Sequence, residues 1–347
     1  MANPNPSTHH HETDSVTAQR PATTLAVAVT GIQSALGAAL LADLANDSRV
    51  TKVLCIDLVA PTQASPKLAF ESIDLCALEA QKQLGQALAD HHIDAMAHLA
   101  FRSAPSPSAG YNHELESIGT MRVVQACLTG RVKKLVMGSQ TWLYGANVGA
   151  PALLDEQQPP RARRSERYFA DKTDAERDVL SFRAPGRGRL STILRIAPVV
   201  DPTSNSHIIS LLRDKLLPSV LGFDPMWQLT HLADAQQALH STLFRETPAI
   251  VNIASAGAVP LSVARRKLGV TPLALPRTVA SMLVSGLWLS GAGRIPPSML
   301  DYLQYPCVAD CGLARTCLEY RPKHNTYSIL QDTAHLRTSG SPARSPA

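Results

Sequence analysis

Tyr168 and Lys172 stand four residues apart in YFADK, followed by TDAERDVL, a run with helical character. In a helix that spacing puts the phenol and the ammonium on one face, one turn apart. A cation beside a phenol lowers its pKa, so Tyr168 is a candidate to donate or accept a proton at a substrate oxygen. The same spacing arises by chance in many helices. The pair gains weight only from a second chemical feature upstream.

That feature is the glycine turn Thr30-Gly31-Ile32-Gln33-Ser34-Ala35-Leu36-Gly37. Gly31 permits a sharp turn, and the helix that follows offers unbonded N–H groups and a positive dipole end to a pyrophosphate. Gly37 lets that helix lie close to the sheet. Asp57 closes the next apolar run, VLCIDL at 53–58. A carboxylate there accepts hydrogen bonds from adenosine ribose hydroxyls and repels a 2′-phosphate, which favours NAD over NADP. Ser34 occupies the place of the middle glycine, so either the loop shifts or the hydroxyl bonds a phosphate oxygen.

The elements that must position these residues alternate. LAVAVT (25–30) is a short apolar strand, AALLADLAND (38–47) a helix, and 53–58 a second strand. Strands are expected again at ESIDL (71–75), at 93–101 and at 133–139. Helices are expected at 77–89 and around Ile118, Met121, Val124 and Cys127. Apolar strands alternating with helices at this spacing predict an α/β protein with a doubly wound parallel sheet of the Rossmann type.

Taken together, the chain resembles the extended short-chain dehydrogenase/reductase family, the NAD-dependent epimerase/dehydratase group, over roughly residues 25–335. The resemblance rests on the 30–37 turn, Asp57, Asp74-Leu75, HLAF (98–101), NHELESIGTMRVVQAC (112–127) and VMGSQTWLYGA (136–146). It continues through YFADK (168–172), LRIAPVVDP (194–202), THLADAQQAL (230–239) and VADCGLARTCLEYRP (308–322). It implies an enzyme transferring hydride between nicotinamide and an alcohol or carbonyl carbon of a small-molecule substrate, a nucleotide-linked sugar or a lipid-like molecule. It also implies Tyr168 as catalytic acid/base and Lys172 as the residue that tunes it and binds the nicotinamide ribose. The implied cofactor contacts are Gly31, Ser34, Leu36, Gly37, Asp57, Asp74, Leu75 and Lys172. A third catalytic group, Ser or Thr, is implied four residues before Tyr144. Gln140 stands there instead, flanked by Ser139 and Thr141, which are second-rank catalytic candidates. The implied organisation is a dinucleotide-binding domain over 25–202 and a mainly substrate-binding lobe over 203–336, with a return to the sheet near 230–255.

Composition narrows the alternatives. Of 347 residues, 45% are hydrophobic and 18% charged, which excludes global disorder. Aromatics at 5% and a formal charge of +5 give no footprint of a nucleic-acid binder. Residues 1–24 and 337–347 read as disordered tails. The first lacks the apolar run of a secretory signal, so the expected compartment is the cytoplasm. His9-His10-His11 reads as inert tail, and the six cysteines as thiols, so no metal is expected.

Trp142 is placed to narrow the pocket mouth or to pack in the core. Arg161, Arg163, Arg164 and Arg167 adjoin Tyr168, either binding an anionic substrate group or forming a solvated loop, the reading favoured here. VASMLVSGLWLSGAG (279–293) is too short to span a bilayer and is expected to be a buried helix. Its alternatives are an apolar pocket wall and a peripheral membrane contact. A homodimer is compatible with the pattern. Ser34 and Gln140 also motivate a second class of function, a cofactor-binding regulatory or scaffold protein with weakened catalysis.

Overall fold

The computed structural model describes residues 24–102, 104–105, 109–203 and 206–338. The His9–His11 triplet and nearly all of both expected tails lie outside these residues. The final helix nonetheless runs through Thr338.

The first half alternates as the sequence pattern demands. Strand β1 (Leu25–Thr30), helix α1 (Ala35–Asn46), β2 (Val50–Asp57), β3 (Leu68–Ser72), α2 (Ala80–Asp90) and β4 (Ala95–His98) come first. Next is a helix in three pieces: α3 (Ala109–His113), a π turn (Glu114–Ile118) and α4 (Gly119–Thr129). Then follow β5 (Lys134–Gln140), a 3₁₀ turn (Thr141–Tyr144), α5 (Arg167–Phe182) and β6 (Leu190–Ile196). The second half carries β7 (Val199–Val200), α6 (His207–Leu212), β8 (Pro218–Val220), β9 (Met226–Trp227), β10 (Thr230–His231) and α7 (Leu232–Phe244). It continues with β11 (Ile250–Ile253), β12 (Val259–Pro260), α8 (Leu261–Lys267), β13 (Leu273–Leu275) and α9 (Arg277–Leu289). A 3₁₀ segment (Pro297–Leu303), α10 (Gly312–Cys317) and α11 (Thr326–Thr338) close the chain.

Seven strands form one parallel sheet in the order β11-β6-β5-β4-β1-β2-β3. From β1 the chain winds first one way and then, after β3, back past β1 to β4. The switch point therefore lies between β1 and β4, where open α/β sheets bind ligands beyond the strands' carboxyl ends. One face packs Leu40, Leu44, Leu239 and Ala314 from α1, α7 and α10. The other packs Leu84, Leu88, Val123, Cys127, Val179 and Phe182 from α2, α4 and α5. A third core joins Leu143, Tyr168 and Phe169 to Ile209, Trp227, Leu261, Ala280 and Leu300, so the helix carrying Tyr168 is packed on both sheet and lobe.

Two expectations are corrected. The strand expected over 71–75 is Leu68–Ser72, leaving Asp74 and Leu75 in the turn beyond it. The 279–293 stretch is not a buried helix: only Ala280 and Val284 of α9 are buried, and Met282 and Leu289 are 75% and 85% exposed. Small residues at 281, 285 and 286 leave this helix with a narrow seam instead of a broad apolar face. No helix among the described residues is long and apolar enough to cross a membrane.

Candidate active site

The glycine turn is held by close backbone contact. Gly31 has φ +71°, and a Cβ there would lie 2.5 Å from the carbonyl carbon and oxygen of Leu99, in the loop after β4. A Cβ on Gly37 would lie 2.2 Å from the carbonyl oxygen of Gly31. Both positions require glycine. Ser34 is the N-cap of α1: its Oγ donates to the Gly31 carbonyl at 2.8 Å and accepts from the Gly37 N–H at 3.0 Å. Its hydroxyl is thus spent in closing the turn. The N–H groups of Ala35 and Leu36, at the first positions of the helix, have no intrahelical partner.

Asp57 lies beside the turn, where Oδ2 accepts from the Gln33 N–H at 3.3 Å and Oδ1 from the Leu58 N–H at 2.8 Å. A cavity of 610 Å³ opens from this point, lined by Gln33, Ser34 and Leu36 at one end and by Ser139, Gln140, Tyr168 and Lys172 further along. Gly31, Gly37 and Asp57 shape or flank the turn without lining the cavity. Asp74 and Leu75 stand outside its lining: Asp74 Oδ1 accepts from the Cys76 N–H at 2.9 Å, and Leu75 is buried in a sheet-face core.

Helix α5 brings Tyr168 and Lys172 together. The Lys172 ammonium lies 4.8 Å from the centre of the Tyr168 ring, and the Tyr168 hydroxyl donates to Gln140 Oε1 at 3.1 Å. The expected depression of the phenol's pKa does not occur. Burial pushes Tyr168 upward, a nearby carboxylate, Glu116, adds to that, and the Gln140 hydrogen bond opposes it only in part. The reason is visible in the geometry: Lys172 Nζ donates to Glu116 Oε1 at 3.1 Å and to the Arg102 carbonyl at 3.1 Å, so its charge is already compensated. Glu116 is 1% exposed and also accepts the Arg102 N–H at 2.9 Å.

The second-rank candidates separate. Ser139 lines the cavity, but its Oγ donates to Glu176 Oε1 at 2.6 Å, and Glu176 grips Arg195 through both carboxylate oxygens. Thr141 is buried in the 3₁₀ turn, its Oγ1 has no partner, and it does not line the cavity. It is therefore not brought to the pair: Gln140 and Trp142 on either side of it line the cavity, whereas Thr141 is buried away from it. Gln140 occupies the third position and leaves a buried amide nitrogen, Nε2, without a partner.

Sequence reasoning missed Glu116 as a site residue. Its signal was available: Glu116 falls on the same face as Thr120, Val123 and Cys127, all buried, and a carboxylate on a buried face requires a cation. Arg102 came with it, as a backbone partner.

Trp142 lines the cavity while stacking on Tyr302 at 4.9 Å and meeting Trp227 edge-on at 5.5 Å. Arg163, Arg164 and Arg167 pair with Asp301, Asp174 and Asp171 at 2.9, 2.9 and 3.8 Å, and none of the four arginines of that loop lines the cavity. Helix α9 does not line it either.

These residues fit a dinucleotide. A turn that admits no Cβ faces a helix N-terminus at one end, and an unpartnered buried amide donor sits beside a phenol and an ammonium at the other.

Comparison with known proteins agrees. The model of the NAD dependent epimerase/dehydratase family matches residues 27–254. The uncharacterized protein Rv0501 of Mycobacterium tuberculosis is 28% identical over 312 residues, covering 88% of this chain and 82% of that protein. Among solved structures, MoeE5 in complex with UDP-glucose and NAD is 24% identical, with TM-score 0.65 over 91% of this chain and 100% of that one. UDP-glucose 4-epimerase of Thermotoga maritima with UDP-glucose is 16% identical, with TM-score 0.68 over 91% and 99%. DesIV, a dTDP-glucose 4,6-dehydratase of Streptomyces venezuelae with NAD bound, is 17% identical, with TM-score 0.66 over 91% and 98%. At these identities the solved structures establish the fold.

Proposed function

Since the chain belongs to the NAD dependent epimerase/dehydratase family of enzymes, we propose that it oxidises or reduces a carbinol or carbonyl of a nucleotide-linked sugar, with Tyr168 moving the proton at the reacting oxygen. The observation that carries this reading is a cavity lined both by Gln33, Ser34 and Leu36 of the glycine turn and by Tyr168, Gln140 and Lys172. The sugar-nucleotide class is supported by the molecules bound in MoeE5 and the Thermotoga maritima epimerase. The lipid-like alternative draws no support from the cavity, because no residue of α9 lines it.

NAD, when bound, supplies the acceptor and donor of hydride. The turn at 30–37 and the first N–H groups of α1 would hold its pyrophosphate. Asp57 would accept hydrogen bonds from the adenosine ribose and would favour NAD over NADP by repelling a 2′-phosphate. Lys172 would bind the nicotinamide ribose. Tyr168 gives its proton to a substrate oxygen, or takes one from a hydroxyl, and Gln140 Nε2 donates a second hydrogen bond to that oxygen. An amide nitrogen only donates, so Gln140 stabilises a carbonyl or developing oxyanion better than it does a hydroxyl proton.

The test titrates NAD and NADP into the pure protein by calorimetry, then offers UDP- and dTDP-hexoses and follows products by NMR. Saturable binding that favours NAD, with conversion of at least one sugar nucleotide, is the expected result. Asp57→Ala should narrow the NAD preference. Tight NAD binding with no conversion across the panel would replace this reading with that of a cofactor-binding protein without catalysis.

A further inference from the structure

Trp142 stands two residues after Gln140, which accepts the Tyr168 hydrogen bond, so the two Cα atoms lie within about 7.6 Å of each other. The indole lines the cavity and is half-buried. Tyr302 stacks on it at 4.9 Å, and Trp227 meets it at 78° and 5.5 Å. The Tyr302 hydroxyl also donates to the Trp142 carbonyl, and Trp227 Nε1 donates to the Tyr302 carbonyl at 3.0 Å. Ring and main chain are thus tied to one 3₁₀ segment, Pro297–Leu303. That segment is in turn fixed relative to the phenol. The Tyr302 ring lies 5.7 Å from Phe169, and the Phe169 ring 5.3 Å from Tyr168. The indole cannot swing out of the cavity without breaking its stack on Tyr302.

The face of an indole is the negative side of its quadrupole. A carboxylate or phosphate gains nothing against it, and a hydroxyl pressed onto it forfeits hydrogen bonds to water. A pyranose face that shows only C–H bonds fits such a surface, because it is flat and apolar and its hydroxyls leave through the ring edge. The lining supplies partners for that edge. Gln140 Nε2 is buried with no partner, and Ser206 and His207 line the same cavity. Burial pushes His207 down to about 4, so it meets a hydroxyl as a neutral ring near pH 7.

We propose that Trp142 determines specificity for the sugar: its cavity-side surface is the platform on which the C–H face of a hexose lies while the reacting oxygen reaches Tyr168 and Gln140. This rests on the substrate being a nucleotide-linked sugar. Trp142 touches the hexose and not the nucleotide. A substituent raised from that face of the hexose meets a ring held from behind, so the platform sorts sugars by shape.

The test uses the full-length protein loaded with NAD, in a Tyr168→Phe background so that ligands are held without turnover. UDP and dTDP are compared with UDP-glucose and dTDP-glucose, by calorimetry and by tryptophan emission. The Trp142 signal is the difference between proteins with and without Trp142→Phe, since the chain also holds Trp227 and Trp288. A sugar nucleotide should change that signal and its parent diphosphate should not. Trp142→Ala should weaken the sugar nucleotide at least about tenfold while the diphosphate stays within about twofold, and Trp142→Phe should regain most of the loss. Equal losses for both ligands in a folded Trp142→Ala, or no loss for either, overturn the proposal. Should that variant not fold, a Trp142 signal that responds to the diphosphate alone, or to neither ligand, overturns it equally. These outcomes leave the sugar-nucleotide reading standing, whereas failure of all four ligands to bind overturns both.

Discussion

A methyl group on Gly31 would have to displace the backbone of Leu99 while its own residue is held at φ +71°. The left-handed conformation alone costs a non-glycine residue about 1–3 kcal/mol, and the contact is with backbone that cannot rotate away. Gly31→Ala should therefore lower the denaturation midpoint and weaken NAD binding together, read by urea titration and calorimetry. Unchanged stability would mean that the β1 and β4 loops do not meet as described. At this scale the sequence was informative where chemistry coincides with spacing: Tyr168–Lys172, the two glycines and Asp57 all follow from local pattern. Thr141 and Glu116 were not so legible. Which side of a turn a side chain takes, and which cation a buried carboxylate finds, are decided by elements far apart in the chain.

The strands and helices add a pH-dependent term through His98. This residue is fully buried at the end of β4, and burial pushes its pKa from 6.5 to about 3. The Thr120 hydroxyl proton goes to the Glu116 carbonyl, so His98 Nε2 donates to Thr120 and Nδ1 accepts from Thr30. The folded state thus requires the neutral ring, whereas the unfolded chain binds a proton near pH 6.5. Stability is full above about pH 6.5 and is lost progressively as pH falls toward about 3. His207, pushed down to about 4, acts in the same direction. His98→Asn should reduce the pH slope of the urea midpoint in this window by one proton, leaving the His207 part. An identical slope would contradict the neutral-ring assignment.

Helix α9 supplies a contrast at the same scale. Met282→Ser, at 75% exposure, should change stability by less than about 0.5 kcal/mol, whereas Val284→Ala should cost about 1.5–3 kcal/mol. Equal effects on the melting midpoint would mean that the exposed face is covered. The sequence read this helix as buried because its residues are apolar, but apolarity does not state how many neighbours a terminal lobe can provide. The shift of β3 has a similar origin. An edge strand with a part-exposed pattern carries weak alternation, so its register is set by pairing with β2.

For the molecule as a whole, the parallel class was readable from alternation, but the strand order was not. The order follows from long-range pairing and from the return of β11 beside β6 after the chain has entered the lobe. Helix α5 is packed between the sheet, through Ala175, Val179 and Phe182, and the third core, through Tyr168 and Phe169. Ala162 of the arginine loop and Ala280 and Val284 of α9 belong to this third core, and Arg163 and Arg277 share Asp301, but neither segment lines the cavity.

The proposed dinucleotide site and the proposed acid/base Tyr168 share one cavity, and the comparison of wild type with Tyr168→Phe tests that junction most directly. The substitution removes one hydroxyl, which donates to Gln140 Oε1. NAD affinity is measured by calorimetry, and turnover on the best sugar nucleotide is followed by product formation. NAD affinity within about twofold of wild type and a turnover loss of at least about a hundredfold are expected. Turnover equal to wild type in Tyr168→Phe, or no saturable NAD binding by the wild type, would contradict this reading.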